Sequence, residues 1–137
     1  MRSAGYSGAP LIKKLGIKPG MKAAFLYAPQ GYDQTLGPLP QEFNLLKRLG
    51  KEMDFIHFFA KERAKLLSKL PKLKQALTYD GTLWISWPKK ASKVETDIDE
   101  NVVREAVLNV GLVDVKIAAI DEVWSGLKFM YRIKDRP

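Results

Sequence analysis

Residues 82–90, Thr-Leu-Trp-Ile-Ser-Trp-Pro-Lys-Lys, read as a buried strand that leaves the core through a Trp-Pro-Lys-Lys loop. Six apolar or small residues from Thr82 to Trp87 have the length and β-branched or aromatic character of a strand covered on both faces. Pro88 then ends the ladder, because it has no N–H to donate. A strand buried on both sides needs neighbours in the sheet and a helical layer above and below it.

The flanking sequence supplies them. Residues 61–77 place Leu66, Leu70, Leu73 and Leu77 on one face of a helix. Pro71 is expected to kink that helix or to start a second one, because its ring blocks the bond to residue 67. Tyr79-Asp80-Gly81 reads as a turn. Downstream, Val102, Val103, Ala106, Val107 and Val110 form a helical stripe. Asp97 with Glu100 resembles a capping box for it, and Gly111 its C-terminal stop. Upstream, residues 22–28 and 53–60 read as strands, 43–49 as a shorter one, and 10–15 as a short helix ending at Gly16. Residues 29–40, with two glycines and three prolines, read as a loop. Residues 113–120 and 124–133 complete the chain as two strands joined by a short connection.

This order predicts an α/β fold: a three-layer, Rossmann-like, mostly parallel sheet with a C-terminal antiparallel hairpin. A chain of 137 residues suits one domain. Residues 10–137 are assigned to it, and residues 1–9 are expected to form a disordered tail.

Composition narrows the chemistry. There is no cysteine and one histidine, His57, so thiolate zinc sites, disulfides and two-histidine metal sites are excluded. No apolar run reaches membrane-spanning length and no secretory h-region is present, so a cytoplasmic protein without a membrane partner is expected. The net charge of +8 is uneven: residues 1–90 carry +10 and residues 91–137 carry −2. A small anionic partner suits the basic part. The lysines at 61, 65, 69, 72 and 74 lack interleaved aromatics, so nucleic acid is not the expected partner.

In open parallel sheets ligands sit beyond the C-terminal strand ends. The candidate ligand-binding residues are therefore Pro29, Gly31 and Tyr32 after the first strand, and Ser86, Trp87, Lys89 and Lys90 after the strand at 82. Trp87 offers a stacking face and the two lysines offer charge. His57, flanked by Ile56 and Phe58, reads as a hydrogen-bonded sheet histidine. Asp97 and Asp99 read as helix caps, and Ser125 lacks the partners of an acyl-transfer nucleophile. No catalytic residue and no metal ligand is assigned.

From Met53 onward the pattern resembles the second half of a class I S-adenosylmethionine-dependent methyltransferase. The pieces that carry the likeness are Asp54–Phe59, Leu66–Leu77, Tyr79-Asp80-Gly81, Thr82–Trp87, Val102–Val110 and Val113–Ile133. Over nearly the whole chain the phrases Pro10–Met21, Ala28–Gly31, Leu36–Pro40, Asp80–Lys90, Val102–Glu105, Gly111–Lys116 and Trp124–Lys128 resemble a family of short bacterial proteins with no assigned function. The resemblance implies a reduced methyltransferase-like fold and assigns no catalytic residue. Such enzymes carry a Gly-rich turn after the first strand, where this chain has Pro29-Gln30-Gly31-Tyr32-Asp33, and a helix after it, where this chain has a Pro/Gly loop. Glu42 precedes the second strand and does not end it. No cofactor is therefore expected. The expected function is a methyltransferase-like domain without an intact cofactor motif, more a binder of an anionic or nucleotide-like ligand than an enzyme. The alternatives are a divergent methyltransferase or a basic interaction module.

Overall fold

A computed structural model describes residues 10–137, so the tail expected at residues 1–9 lies outside the described residues. Six strands form one sheet: β1 (Lys22–Leu26), β2 (Asn44–Leu46), β3 (Met53–Phe59), β4 (Leu77–Pro88), β5 (Leu112–Ala119) and β6 (Trp124–Tyr131). Their spatial order is β2-β1-β3-β4-β6-β5. The pairs β1–β2, β1–β3 and β3–β4 are parallel, whereas β6 is antiparallel to both β4 and β5. The closing hairpin is thus present, with β6 inserted next to β4 and β5 left at the edge.

Pleating sorts the side chains of the central strands between two layers. Leu83, Ile85 and Trp87 pack with the helices α3 (Arg63–Ala76) and α4 (Glu100–Asn109), through Leu66, Leu70, Leu73, Val103 and Val107. Trp84 faces the other way, with Phe55, Phe59, Leu11 and Leu15 of α1 (Leu11–Leu15), and Tyr32 and Leu36 of α2 (Tyr32–Leu36). The expected three layers follow from this alternation.

Four expectations are corrected. Residues 29–40 are not loop throughout, since α2 occupies Tyr32–Leu36 between Gly31 and Gly37, both at positive φ. The helix that the sequence reading replaces with a loop is therefore present in short form. The Pro71 break is absent: α3 runs unbroken from Arg63 to Ala76. Leu67 and Pro71 both lie on its exposed side, where water can replace the bond that Pro71 cannot make. Tyr79-Asp80-Gly81 lies within β4, which begins at Leu77 and crosses a register shift between its pairings with Met53 and Phe55. Finally, Asp99, not Asp97, caps α4, its carboxylate accepting from the Val102 N–H at 2.9 Å.

Candidate functional site

The C-terminal ends of β1 and β3 open into a cleft of about 790 Å³, lined by Tyr27, Ala28, Pro29, Phe59, Lys61, Glu62, Lys65, Glu95, Thr96, Asp97 and Trp124. That volume is in the range of small-molecule sites. Tyr27 is its least ordinary residue. It follows β1 directly with φ 58°, a left-handed conformation that costs an aromatic residue roughly 1–2 kcal/mol. Its ring is held from two sides: Phe58 meets it edge-on at 5.4 Å between centroids, and Lys65 Nζ stands 3.5 Å from its centroid. The residue is nonetheless 51% exposed.

The opposite wall is fastened to the start of α3. Thr96 Oγ1 donates to the Lys61 carbonyl at 2.6 Å, and the Arg63 N–H donates to Asp97 Oδ1 at 2.7 Å. Asp97 therefore caps a helix 34 residues earlier in the chain. Asp97→Ala should cost about 1 kcal/mol in urea unfolding at neutral pH. A cost indistinguishable from that of an ordinary surface substitution would show that the cap contributes nothing. Trp124 closes the floor against Phe59, edge to face at 5.2 Å. It is positioned by Asp121 Oδ1, which accepts from the N–H groups of Val123 and Trp124.

Behind the floor lies a buried polar chain. Tyr32 Oη and His57 Nδ1 are 2.5 Å apart, and His57 Nε2 and Ser86 Oγ are 2.7 Å apart. His57 and Ser86 are fully buried, and the imidazole stacks on Phe59 at 4.0 Å. Burial lowers the His57 pKa to about 3 and raises that of the Tyr32 phenol. The ring is thus neutral at physiological pH, with one nitrogen donating and the other accepting. One hydroxyl donates to His57 and the other accepts from it. Gly126 stands opposite Ser86 across the β4–β6 ladder. A Cβ there would sit 3.0 Å from Ser86 Oγ and 3.1 Å from Trp84 Cε3, so only glycine leaves this chain undisturbed.

The candidate residues from the sequence are distributed as follows. Pro29 lines the cleft. Gly31 begins α2, and Tyr32 and Ser86 are joined through His57. Trp87, 5% exposed, packs in the α3–α4 layer, on the face of β4 opposite Ser86. Lys89 is half-buried and donates its backbone N–H to the Val123 carbonyl, and Lys90 is exposed at the start of a 3-10 turn. Sequence reading did not single out Tyr27, Phe59, Lys61, Lys65 or Glu95 as site residues. The one available signal was position, since Tyr27 follows one parallel strand directly and Phe59 ends its neighbour.

No family model matches the chain, and no curated protein matches it in sequence. Solved structures do match in shape. A magnesium protoporphyrin IX methyltransferase from Synechocystis with bound S-adenosylmethionine has a TM-score of 0.62 at 13% identity, with 89% of this chain and 74% of that one covered. An S-adenosylmethionine-dependent methyltransferase from Aquifex aeolicus has a TM-score of 0.58 at 18% identity, covering 89% of this chain and 88% of that one. Fibrillarin from Aeropyrum pernix, with natively bound S-adenosylmethionine, has a TM-score of 0.57 at 11% identity, covering 92% and 70%. The fold is therefore methyltransferase-like and Rossmann-like. These neighbours also correct the expectation that no cofactor is involved: solved examples of this fold carry S-adenosylmethionine. That expectation rested on the missing glycines of the first turn, yet Tyr27 adopts a left-handed conformation there without being glycine. Among the described residues no helix is long and apolar enough to cross a membrane.

Proposed function

We propose that this chain is a divergent methyltransferase-type domain whose cleft at the ends of β1 and β3 holds S-adenosylmethionine. The observation that carries the reading is the Tyr27 ring, strained into the cleft mouth with a cation already on its face. A π-face that holds an ammonium also suits a sulfonium, which would take the place of the Lys65 ammonium there. The other lining groups match the rest of such a ligand. Phe59 and Trp124 give the floor apolar edges, Glu62 and Glu95 offer carboxylates for an amino group, and Lys61 offers a cation for a carboxylate. Among the described residues the ion pairs are those of Arg104 with Glu100 and Asp114, so Lys61, Glu62 and Glu95 are not consumed by pairing.

When bound, that cofactor supplies an electrophilic methyl group on a sulfonium. The chain's own part is to bind and orient. Asp97 and Thr96 fix the 95–97 wall to α3, and the Tyr32–His57–Ser86 chain fixes α2 and the floor beneath Phe59. Pro29 belongs to this cleft, and an anionic ligand is not what its mixture of two lysines with three carboxylates selects.

Titration calorimetry with S-adenosylmethionine and S-adenosylhomocysteine tests the reading. Saturable one-to-one binding is expected, weakened about tenfold by Tyr27→Ala through loss of the cation–π face. Absence of heat and of any thermal shift at millimolar ligand would overturn it. Unchanged affinity in Tyr27→Ala would remove Tyr27 from the site.

A further inference from the structure

On the sheet face covered by α1, away from the cleft, three lysines crowd together. Lys116 of β5 and Lys128 of β6 stand directly opposite each other in the antiparallel register. Like charges in that position repel and destabilise the pair. Lys18, just beyond α1, is the third. Partial burial, with the like charges of Lys116 and Lys18, lowers the Lys128 pKa.

Lys116 has a structural task, since its Nζ donates to the Lys14 carbonyl at the end of α1, at 3.1 Å. Lys128 has none. Its Nζ reaches the end of α1, 3.8 Å from where a Cβ on Gly16 would lie, and it forms no hydrogen bond or ion pair with the described residues. Residues 1–9 cannot supply the missing countercharge, because they contain neither Asp nor Glu. A half-buried ammonium with a like-charged cross-strand neighbour and no anion is a costly arrangement unless something negative joins it.

We propose that Lys18, Lys116 and Lys128 form a binding site for a phosphate-bearing anion. Ammonium groups bind phosphoryl oxygens as point charges with several donors each, and partial burial at Lys128 limits the screening that makes exposed lysines indifferent to anions. None of the three lines the cleft, so this site stands or falls independently of the proposed cofactor.

Calorimetry on the full chain with inorganic pyrophosphate, at ionic strength held constant with chloride, tests it. Saturable one-to-one binding is expected, weakened about tenfold or more in Lys128→Gln, the loss of one charged hydrogen bond. Lys72→Gln, an exposed lysine on α3, should bind as the unmodified chain does. Lys128→Gln should also raise the melting temperature of the anion-free protein, since it removes the repulsion, and should abolish the further rise that pyrophosphate produces. Parallel titrations with inorganic phosphate and with ADP separate free phosphate from a nucleotide as source, and Lys128-dependent binding of either supports the site. Equal pyrophosphate affinity in Lys128→Gln, or heat reproduced by chloride alone, would overturn it. Should Lys128→Gln fail to fold by circular dichroism, Lys116→Gln carries the same expected loss.

Discussion

His57→Ala is expected to cost about 3–5 kcal/mol of stability, a large part of what a domain of this size possesses. Two effects combine. The substitution removes a fully buried ring stacked on Phe59, and it strands the Tyr32 and Ser86 hydroxyls, which have no other described partner. His57→Phe retains the ring and isolates the second effect, at roughly 2 kcal/mol. The imidazole also leaves a pH signature. Its folded-state pKa of about 3 lies below the ordinary 6.5, so as pH falls the unfolded chain takes up the proton first. The stability that neutral His57 contributes is complete above pH 6.5 and drains away toward pH 3, at about 1.4 kcal/mol per pH unit. From pH 6.5 to pH 5, above the ordinary carboxylate range, the loss should reach about 2 kcal/mol. Urea unfolding at half-unit intervals across that window should show the slope in the unmodified chain and a flat line in His57→Phe. A flat line in both would mean that the imidazole is not held neutral.

Trp84→Ala is expected to be similarly severe, about 3–5 kcal/mol. Trp84 heads the largest fully buried side chains, and its Nε1–H donates to the Leu15 carbonyl at 3.0 Å. That bond ties the last turn of α1 to the centre of the sheet. Trp84→Phe should recover most of the packing and fail to recover about 1 kcal/mol for the bond. Hydrogen exchange separates the two losses, because Trp84→Phe should release protection chiefly at the Gly16 and Ile17 amides, which donate into α1. Uniform loss across the sheet would assign the whole effect to packing.

Much of the fold was legible because it rests on periodicity. Leu66, Leu70 and Leu73 mark one face of α3, Val103, Ala106 and Val107 mark that of α4, and the unbroken apolar run at 82–87 marks a strand covered on both sides. These patterns report burial directly. The α2 helix escaped detection because Gly31, Gly37 and three prolines surround five residues, too few to show a period, and glycine at either end reads equally well as a turn. The continuity of α3 through Pro71 escaped because local propensity does not include the packing of the leucine face that holds both halves in line.

The site divides in the same way. The parallel order points beyond the C-terminal strand ends, and of the residues the sequence nominates Pro29 lines the cleft that opens there. The pleat then separates Ser86 from Trp87, sending one to Phe59 and His57 and the other into the α3–α4 layer. Left-handed Tyr27 could not be read, because an aromatic residue disfavours that conformation and the contacts with Phe58 and Lys65 come from distant parts of the chain.

By itself, then, the sequence determined the alternation of strands and helices, the two apolar faces of the central strand and the closing hairpin, since each follows from side-chain spacing within one segment. Only the tertiary structure decided what Asp97 caps, what His57 joins, which cation rests on Tyr27 and why Lys128 has no counterion among the described residues. Those groups meet across 29 residues for His57 and Ser86 and 34 for Arg63 and Asp97. Hydrogen bonds and charges act over a few ångströms in space, and no period within a segment encodes which distant residue arrives there.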